Sequence, residues 1–363
     1  MKICVLEWIT GGSLSLDGSE CSTNSLLKEG WSMLATVLEQ FSAEGHQVIS
    51  VMDRSVIKRI GFSDWQEKVL TKGASAGSVS VCEVKGPMER DHLLDVWSQI
   101  ASECEHCLII APEIDGILEN CIERLRQLPL SVLNCSGTFL ANCCDKWMTA
   151  QCLGKDNLPH PPTWLACDYD NLPYGSFSYW CCKSRKGAGC EGMVIVEAKE
   201  LLDHCQQLIS PADWIVQPWM PGESFSCSAI VNHAGFPVWL PLATQDIVLE
   251  RTLPNGRSVA YNGGRILSSK DNLDRPTALL EQALTALGDR KTQGCLGWIG
   301  IDLLRDIHGH WWIIEINPRI TSSITGLSRA LPGNLAAMLL HAPLLTANFS
   351  IASQWPEVAF RIE

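Results

Sequence analysis

The chain has 363 residues, 46% of them hydrophobic and 19% charged, enough apolar material for two or three cores and too much for a disordered protein. Its net charge of −12 excludes a dedicated nucleic-acid binder, which needs clustered Lys and Arg, but leaves room for a nucleotide site built on a few local cations. No apolar run is long enough to span a bilayer, so no membrane partner is expected.

The first residues, "MKICVLEW", run into an acid and a tryptophan rather than a secretory leader. The 17 cysteines are scattered, odd in number and partly adjacent, as at Cys143-Cys144 and Cys181-Cys182. Together these point to a cytoplasmic, reduced protein whose cysteines are small core residues. Cys104 and Cys107 have metal-ligand spacing, but no second Cys/His pair completes a site, so a helix end leading into a strand is the expected context.

β-rich runs at 3–6, 47–52, 79–84, 108–111 and 132–134 alternate with helical spacing over 25–41, 91–104 and 117–128. That alternation predicts a doubly wound parallel sheet over 1–136, with its ligand crevice at the carboxyl ends of the strands. The loops there read "EWITGG" (7–12) and "APEIDG" (111–116). The absence of GxGxxG after the first strand argues against a Rossmann dinucleotide site. A helix over 138–153, containing Asp145-Lys146, follows Ser136-Gly137, and the proline-rich "LPHPPTW" ends it. Beyond a boundary near Ser136 the pattern becomes α+β, with longer strands, hairpins and glycine turns to about 345 and a tail over 346–363.

Near the C-terminal end, "WWIIEINPR" places polar groups at alternate positions of an apolar strand. Strict alternation puts Trp311, Ile313, Glu315, Asn317 and Arg319 on one face and Ile314 and Ile316 on the other. Upstream, "GWIGIDLL" carries one acid, Asp302. A hairpin closing on His308-Gly309 makes paired numbers sum to 617 and sets Asp302 opposite Glu315 on a shared face. Two close carboxylates call for a cation, and an all-oxygen set of Asp302, Glu315 and Asn317 suits Mg2+ or Mn2+. The same pattern also describes a hairpin face turned to water, but the flanking Trp and Ile favour the metal.

Two further stretches are weaker alone. In "WCCKSRKGAGCEG", Lys183 is followed by Gly187, Gly189 and Gly192, whose main chain can approach phosphate oxygens, although no P-loop GK[ST] follows. In "WIVQPWMPGES", the main chain at Gln217-Pro218-Trp219-Met220 can read an adenine edge and Glu223 can accept bonds from a ribose. Taken alone, an exposed turn and an ordinary strand-to-loop transition describe these two stretches better.

The chain order Asp145-Lys146, Lys183 with its glycines, 217–223, then Asp302…Glu315-Ile-Asn317-Pro-Arg319 resembles the ATP-grasp superfamily of carboxylate–amine ligases. The resemblance implies an ATP-grasp domain over 137–345 with a mobile lid at about 160–220, preceded by that superfamily's α/β domain. It implies that Lys146 and Lys183 hold ATP phosphates, that 187–192 closes over them, that 217–220 receives adenine (usually with Glu at position 217), and that Glu223 binds ribose. Asp302, Glu315 and Asn317 become Mg2+ ligands. Arg319 and Lys183 become the catalytic cations, with Arg319 carrying more charge because Gly300 stands where some ligases have an arginine. The stretches "KICVLEWITGG", "LLKEGWSMLATVLEQFSAEGHQV" and "IIAPEIDGIL" are similar to the tyramine–L-glutamate ligase group of methanofuran biosynthesis. By that likeness the chain is an ADP-forming ligase working through an acyl phosphate on small-molecule carboxylate and amine substrates, glutamate among them. A kinase-like ATP-grasp phosphotransferase and a non-catalytic nucleotide-binding module are the alternatives. Candidate substrate contacts are Glu7, Thr10 and Glu113 in the first domain and Arg257, Tyr261 and Arg265 in "RSVAYNGGR"; each also has a local reading as cap, turn or surface ion pair.

Overall fold

A computed structural model describes residues 1–13, 21–70, 77–190, 192–232, 235–253, 256–271, 274–288, 294–341 and 354–361. The N-terminal domain runs β1 (Lys2–Glu7), α1 (Cys21–Ala43), β2 (Gln47–Asp53), α2 (Arg54–Ile60), α3 (Phe62–Leu70), β3 (Ser78–Val84), α4 (Arg90–Ala101), β4 (His106–Ile110), α5 (Ile117–Leu125) and β5 (Ser131–Val132). Its five strands pair in parallel in the order β3-β2-β1-β4-β5, the doubly wound sheet that the alternation predicts. Residues 3–7 of β1 are all buried, as a central parallel strand covered on both faces requires. The order reverses between β1 and β4, so the loops that follow them flank the crevice.

Two helices between β2 and β3 have no clear signal in the sequence pattern. Asp53 caps α2 by accepting the N–H groups of Ser55 and Val56, and Gly61, at φ 63°, ends it. Cys104 lies between the end of α4 and the start of β4, and among the described residues no three His, Cys, Asp or Glu side chains converge as a metal site. No helix among them is long and apolar enough to cross a membrane.

The segment expected as one helix is two, α6 (Gly137–Cys143) and α7 (Lys146–Lys155). Asp145 makes the break: its carboxylate accepts the N–H groups of Trp147 and Met148, so α7 starts afresh at Lys146. Next come β6 (Trp164–Leu165), β7 (Tyr179–Ser184), β8 (Val194–Glu197), α8 (Leu201–Gln207), β9 (Trp214–Pro218), β10 (Gly222–Val231), β11 (Pro237–Trp239), β12 (Ala243–Leu253) and β13 (Gly256–Ile266). The chain continues through α9 (Thr277–Leu287), β14 (Gly297–Asp306), β15 (Trp311–Asn317), α10 (Ile324–Ala330), α11 (Leu335–His341) and β16 (Val358–Arg361). Among the described residues, the strands of this second sheet pair antiparallel along the path β15-β14-β10-β12-β13-β8-β7-β9-β6, with β11 on β10. The end of the expected tail is a strand too, since β16 pairs with β13.

β5 is two residues long, and Asn134 extends its work. The Asn134 side chain accepts the N–H of Ile109 at 2.9 Å and donates to the Ile109 carbonyl at 2.8 Å, replacing a strand neighbour in a buried place. Asn134→Leu orphans both groups. Denaturant unfolding of the variant is expected to show a loss of about 2–3 kcal/mol, and an unchanged midpoint would refute this role.

Candidate active site

The β14–β15 hairpin sets the geometry. Asp306 accepts the N–H groups of His308 and His310 at 2.9 Å each, and Gly309 takes φ 83°, giving a loop one residue longer than a His308-Gly309 closure. Pairs beside the turn therefore sum to 616, as in Arg305↔Trp311 and Leu303↔Ile313. A bulge between Asp302 and Leu303 then restores 617, so Asp302 pairs with Glu315 and Gly300 with Asn317. The predicted partners are right, and the predicted faces are only half right. Ile313 packs in one core with Ile316, and Trp311 leans on it, whereas Ile314 joins Glu315, Asn317 and Arg319 on a cavity wall.

That cavity, of about 340 Å³, is lined by both domains. Asp302 accepts from Gln245 Nε2 at 2.8 Å and from Asn317 Nδ2 at 3.1 Å. Glu315 is paired with Lys146 Nζ at 3.0 Å and faces Lys183 Nζ at 4.0 Å. Burial, then the Glu315 charge, push the Asp302 carboxyl from 3.8 up to about 6. A divalent cation between the two acids would relieve both causes, and the oxygen-only donors Asp302, Glu315 and Asn317 fit Mg2+ or Mn2+.

Both lysines are buried and positioned by local structure. Lys146 is the first residue of α7, its N–H held by the Arg185 carbonyl at 3.0 Å. Arg185 grips Asp145 through two bonds, at 3.2 and 2.5 Å, tying α7 to the end of β7. Lys183 precedes that end by one residue. Lys146 Nζ also donates to the Gly187 carbonyl, pinning the glycine loop onto the lysine. Gly189 lines the cavity at φ 61°, and Gly192 turns at φ 69° away from the wall. Glu191 lies outside the described residues.

Gln217, Pro218, Trp219 and Met220 all line the cavity, and Gln217 donates to Thr163 Oγ at 2.8 Å. Glu223 does not: it is exposed, and strand alternation gives the wall to Gly222 and Ser224. Glu7 and Tyr261 line the cavity. Thr10 is buried but lies off the wall, its N–H and hydroxyl turned to Glu7. Glu113 is likewise off the wall and pairs with Arg319 Nε at 2.9 Å. Arg257 and Arg265 fall away from the cavity, Arg257 exposed on β13 and Arg265 beside Glu357 at 3.5 Å; strand pattern alone could not tell which face they take. At Gly300 a Cβ would lie 2.5 Å from Thr321 Cγ2, so an arginine there has no room. Gln245 and Glu29 also line the cavity, although no sequence motif marks either; Glu29 shares a helical stripe with Leu26, Gly30 and Met33.

A family profile for an ATP-grasp domain matches residues 143–323, and one for a pre-ATP-grasp domain matches 71–138. The chain belongs to the ATP-grasp superfamily of carboxylate–amine ligases. It is 25% identical over 327 residues to the tyramine–L-glutamate ligase of Methanocaldococcus jannaschii, covering 90% of this chain and 86% of that one. An ATP-grasp superfamily protein from Archaeoglobus fulgidus shares the fold at TM-score 0.62 and 17% identity, covering 99% of both chains. The L-amino acid ligase from Bacillus licheniformis does so at TM-score 0.60 and 15% identity, covering 94% of this chain and 74% of that one.

Asp302 gives this ATP-grasp site a pH signature. An acid with a higher pKa folded than unfolded destabilises once ionised, so the cost is absent below pH 3.8 and complete above about 6. Metal-free Asp302→Asn is expected to be more stable than the parent at pH 8 by about 1–3 kcal/mol and to lose that advantage near pH 4. Unfolding curves at the two pH values measure it, and equal midpoints at pH 8 would contradict it.

Proposed function

We propose that the chain is an ADP-forming ligase that activates a substrate carboxylate as an acyl phosphate and passes the acyl group to an amine. The observation that carries this reading is the Asp302–Glu315 pair, which lines one cavity with Lys183 while Lys146 pairs with Glu315 from behind that wall. The named relatives support an amino acid such as glutamate as the acyl donor and an amine such as tyramine as the acceptor.

A carboxylate is a poor acyl donor at neutral pH. Attack of its oxygen on the γ-phosphorus of ATP expels ADP and leaves an acyl phosphate. The neutral amine nitrogen then attacks the acyl carbon, phosphate departs with the bonding electrons, and the proton that the nitrogen loses leaves with the phosphate. Lys146 and Lys183 bind and orient the phosphates, with Lys146 exchanging Glu315 for a phosphate oxygen as ATP enters. Arg319, held by Glu113, stabilises charge on the group in transit. Asp302, Glu315 and Asn317 would hold Mg2+, which supplies electrostatic stabilisation of the phosphates when bound. The Gln217–Met220 segment receives adenine, and the glycine loop, released from Lys146, closes and excludes water from the acyl phosphate.

Glu315→Gln is expected to cut kcat/KM for ATP by about 100-fold or more while keeping the fold. Product analysis should find ADP and phosphate, with phosphate release requiring both carboxylate and amine. AMP and pyrophosphate would refute the mechanism, and a stable phosphorylated product formed without amine would favour a kinase-like phosphotransferase.

A further inference from the structure

Helix α1 turns one stripe toward the cavity: Leu26, Glu29, Gly30 and Met33, at spacing i, i+3, i+4 and i+7, all line it. With Ile9, Ile110 and Ile114 they form the wall given by the N-terminal domain, apolar except for Glu7 and Glu29 among the described residues. Glu7 is committed to the fold. It accepts the N–H groups of Ile9 and Thr10 at 3.1 and 2.6 Å and abuts Gly30, where a Cβ would lie 2.6 Å from its Oε1.

Glu29 is placed differently. Burial raises its pKa, while Arg319 and a bond from the Ser322 hydroxyl oppose the rise. The single charge of Arg319 is already met by Glu113 at 2.9 Å, and the second oxygen of Glu113 is buried with no hydrogen-bond partner. Arg319 acts on Glu29 through its field while its ion pair is with Glu113, so an ionised Glu29 is a negative charge without a counter-ion of its own in an apolar wall. Such a surplus is costly unless a ligand cation pairs with it. An ammonium head on an apolar body answers both the charge and the wall.

Building on the ligase reading, we propose that this wall is the acceptor pocket, where Glu29 receives the ammonium of a primary amine whose apolar body packs on Leu26, Met33 and Ile114. The surplus charge also sets specificity. An α-amino acid would bring a carboxylate toward Glu29, so the pocket selects amines that lack one. Glu29 acts on recognition of the acceptor, and one ammonium proton passes to its carboxylate before the freed lone pair attacks.

The test compares two nucleophiles with glutamate and ATP held constant: tyramine, a cation at pH 8, and hydroxylamine, neutral there and too small to fill the wall. Glu29→Gln is expected to raise KM for tyramine about tenfold or more and to change hydroxamate formation by less than about threefold. Glu29→Asp should recover part of the tyramine KM. In the parent enzyme, the alcohol with phenethylamine's shape should compete with tyramine about tenfold more weakly than phenethylamine does, a comparison that needs no variant. A tyramine KM within about twofold of the parent in Glu29→Gln, an equal fall with both nucleophiles, or an alcohol that inhibits as well as the amine would each overturn the pocket. If the parent makes no hydroxamate from any carboxylate, the ligase reading itself falls and the pocket with it.

Discussion

Two carboxylates held opposite each other across one antiparallel hairpin, Asp302 and Glu315, are the constraint that the rest of the site answers. Partly buried like charges are unfavourable, and the pair is tolerated because other elements bring compensation to it. β12 supplies Gln245, α7 supplies Lys146, β7 supplies Lys183, and β15 itself supplies Asn317. The two lysines balance the two acids in the resting state. A nucleotide with a divalent cation can replace that internal balance without leaving a buried charge unmatched.

The same logic explains features remote from the pair. The break between α6 and α7 looks like a flaw in a long helix. It places Lys146 at a helix start, and the Asp145–Arg185 fork locks that start to the lysine-bearing strand β7. The N-terminal domain takes part through Glu113, which reaches across to Arg319 on the segment after β15. A domain whose parallel sheet could have been an independent unit is thereby coupled to the cavity it closes.

Much of the fold was legible because its signals are local. Strand–helix alternation gave the parallel sheet and the crevice at β1 and β4, and both loops flagged there contribute to the wall. The pairing of Asp302 with Glu315 was also legible, although two irregularities cancelled: a loop one residue longer than expected and a bulge that took the shift back. Strict alternation hides such a bulge, so it assigns Trp311 and Ile313 to the wrong face. Asp145 carried a readable capping signal, but the helical spacing around it was continuous. Glu223, Arg257 and Arg265 could not be placed, because composition does not say which face of a twisted strand meets the cavity. Glu29 was invisible for another reason: its role depends on Glu113 and Arg319, residues 84 and 290 positions away that only the folded chain assembles.

The most direct test of the central claim is Mn2+ binding, followed by electron paramagnetic resonance, in the presence of ADP. If Asp302 and Glu315 hold the cation with the nucleotide, the parent protein should bind Mn2+ in an ADP-dependent way, and Asp302→Asn and Glu315→Gln should each weaken it by about tenfold or more. Binding of equal strength in parent and both variants would contradict the account.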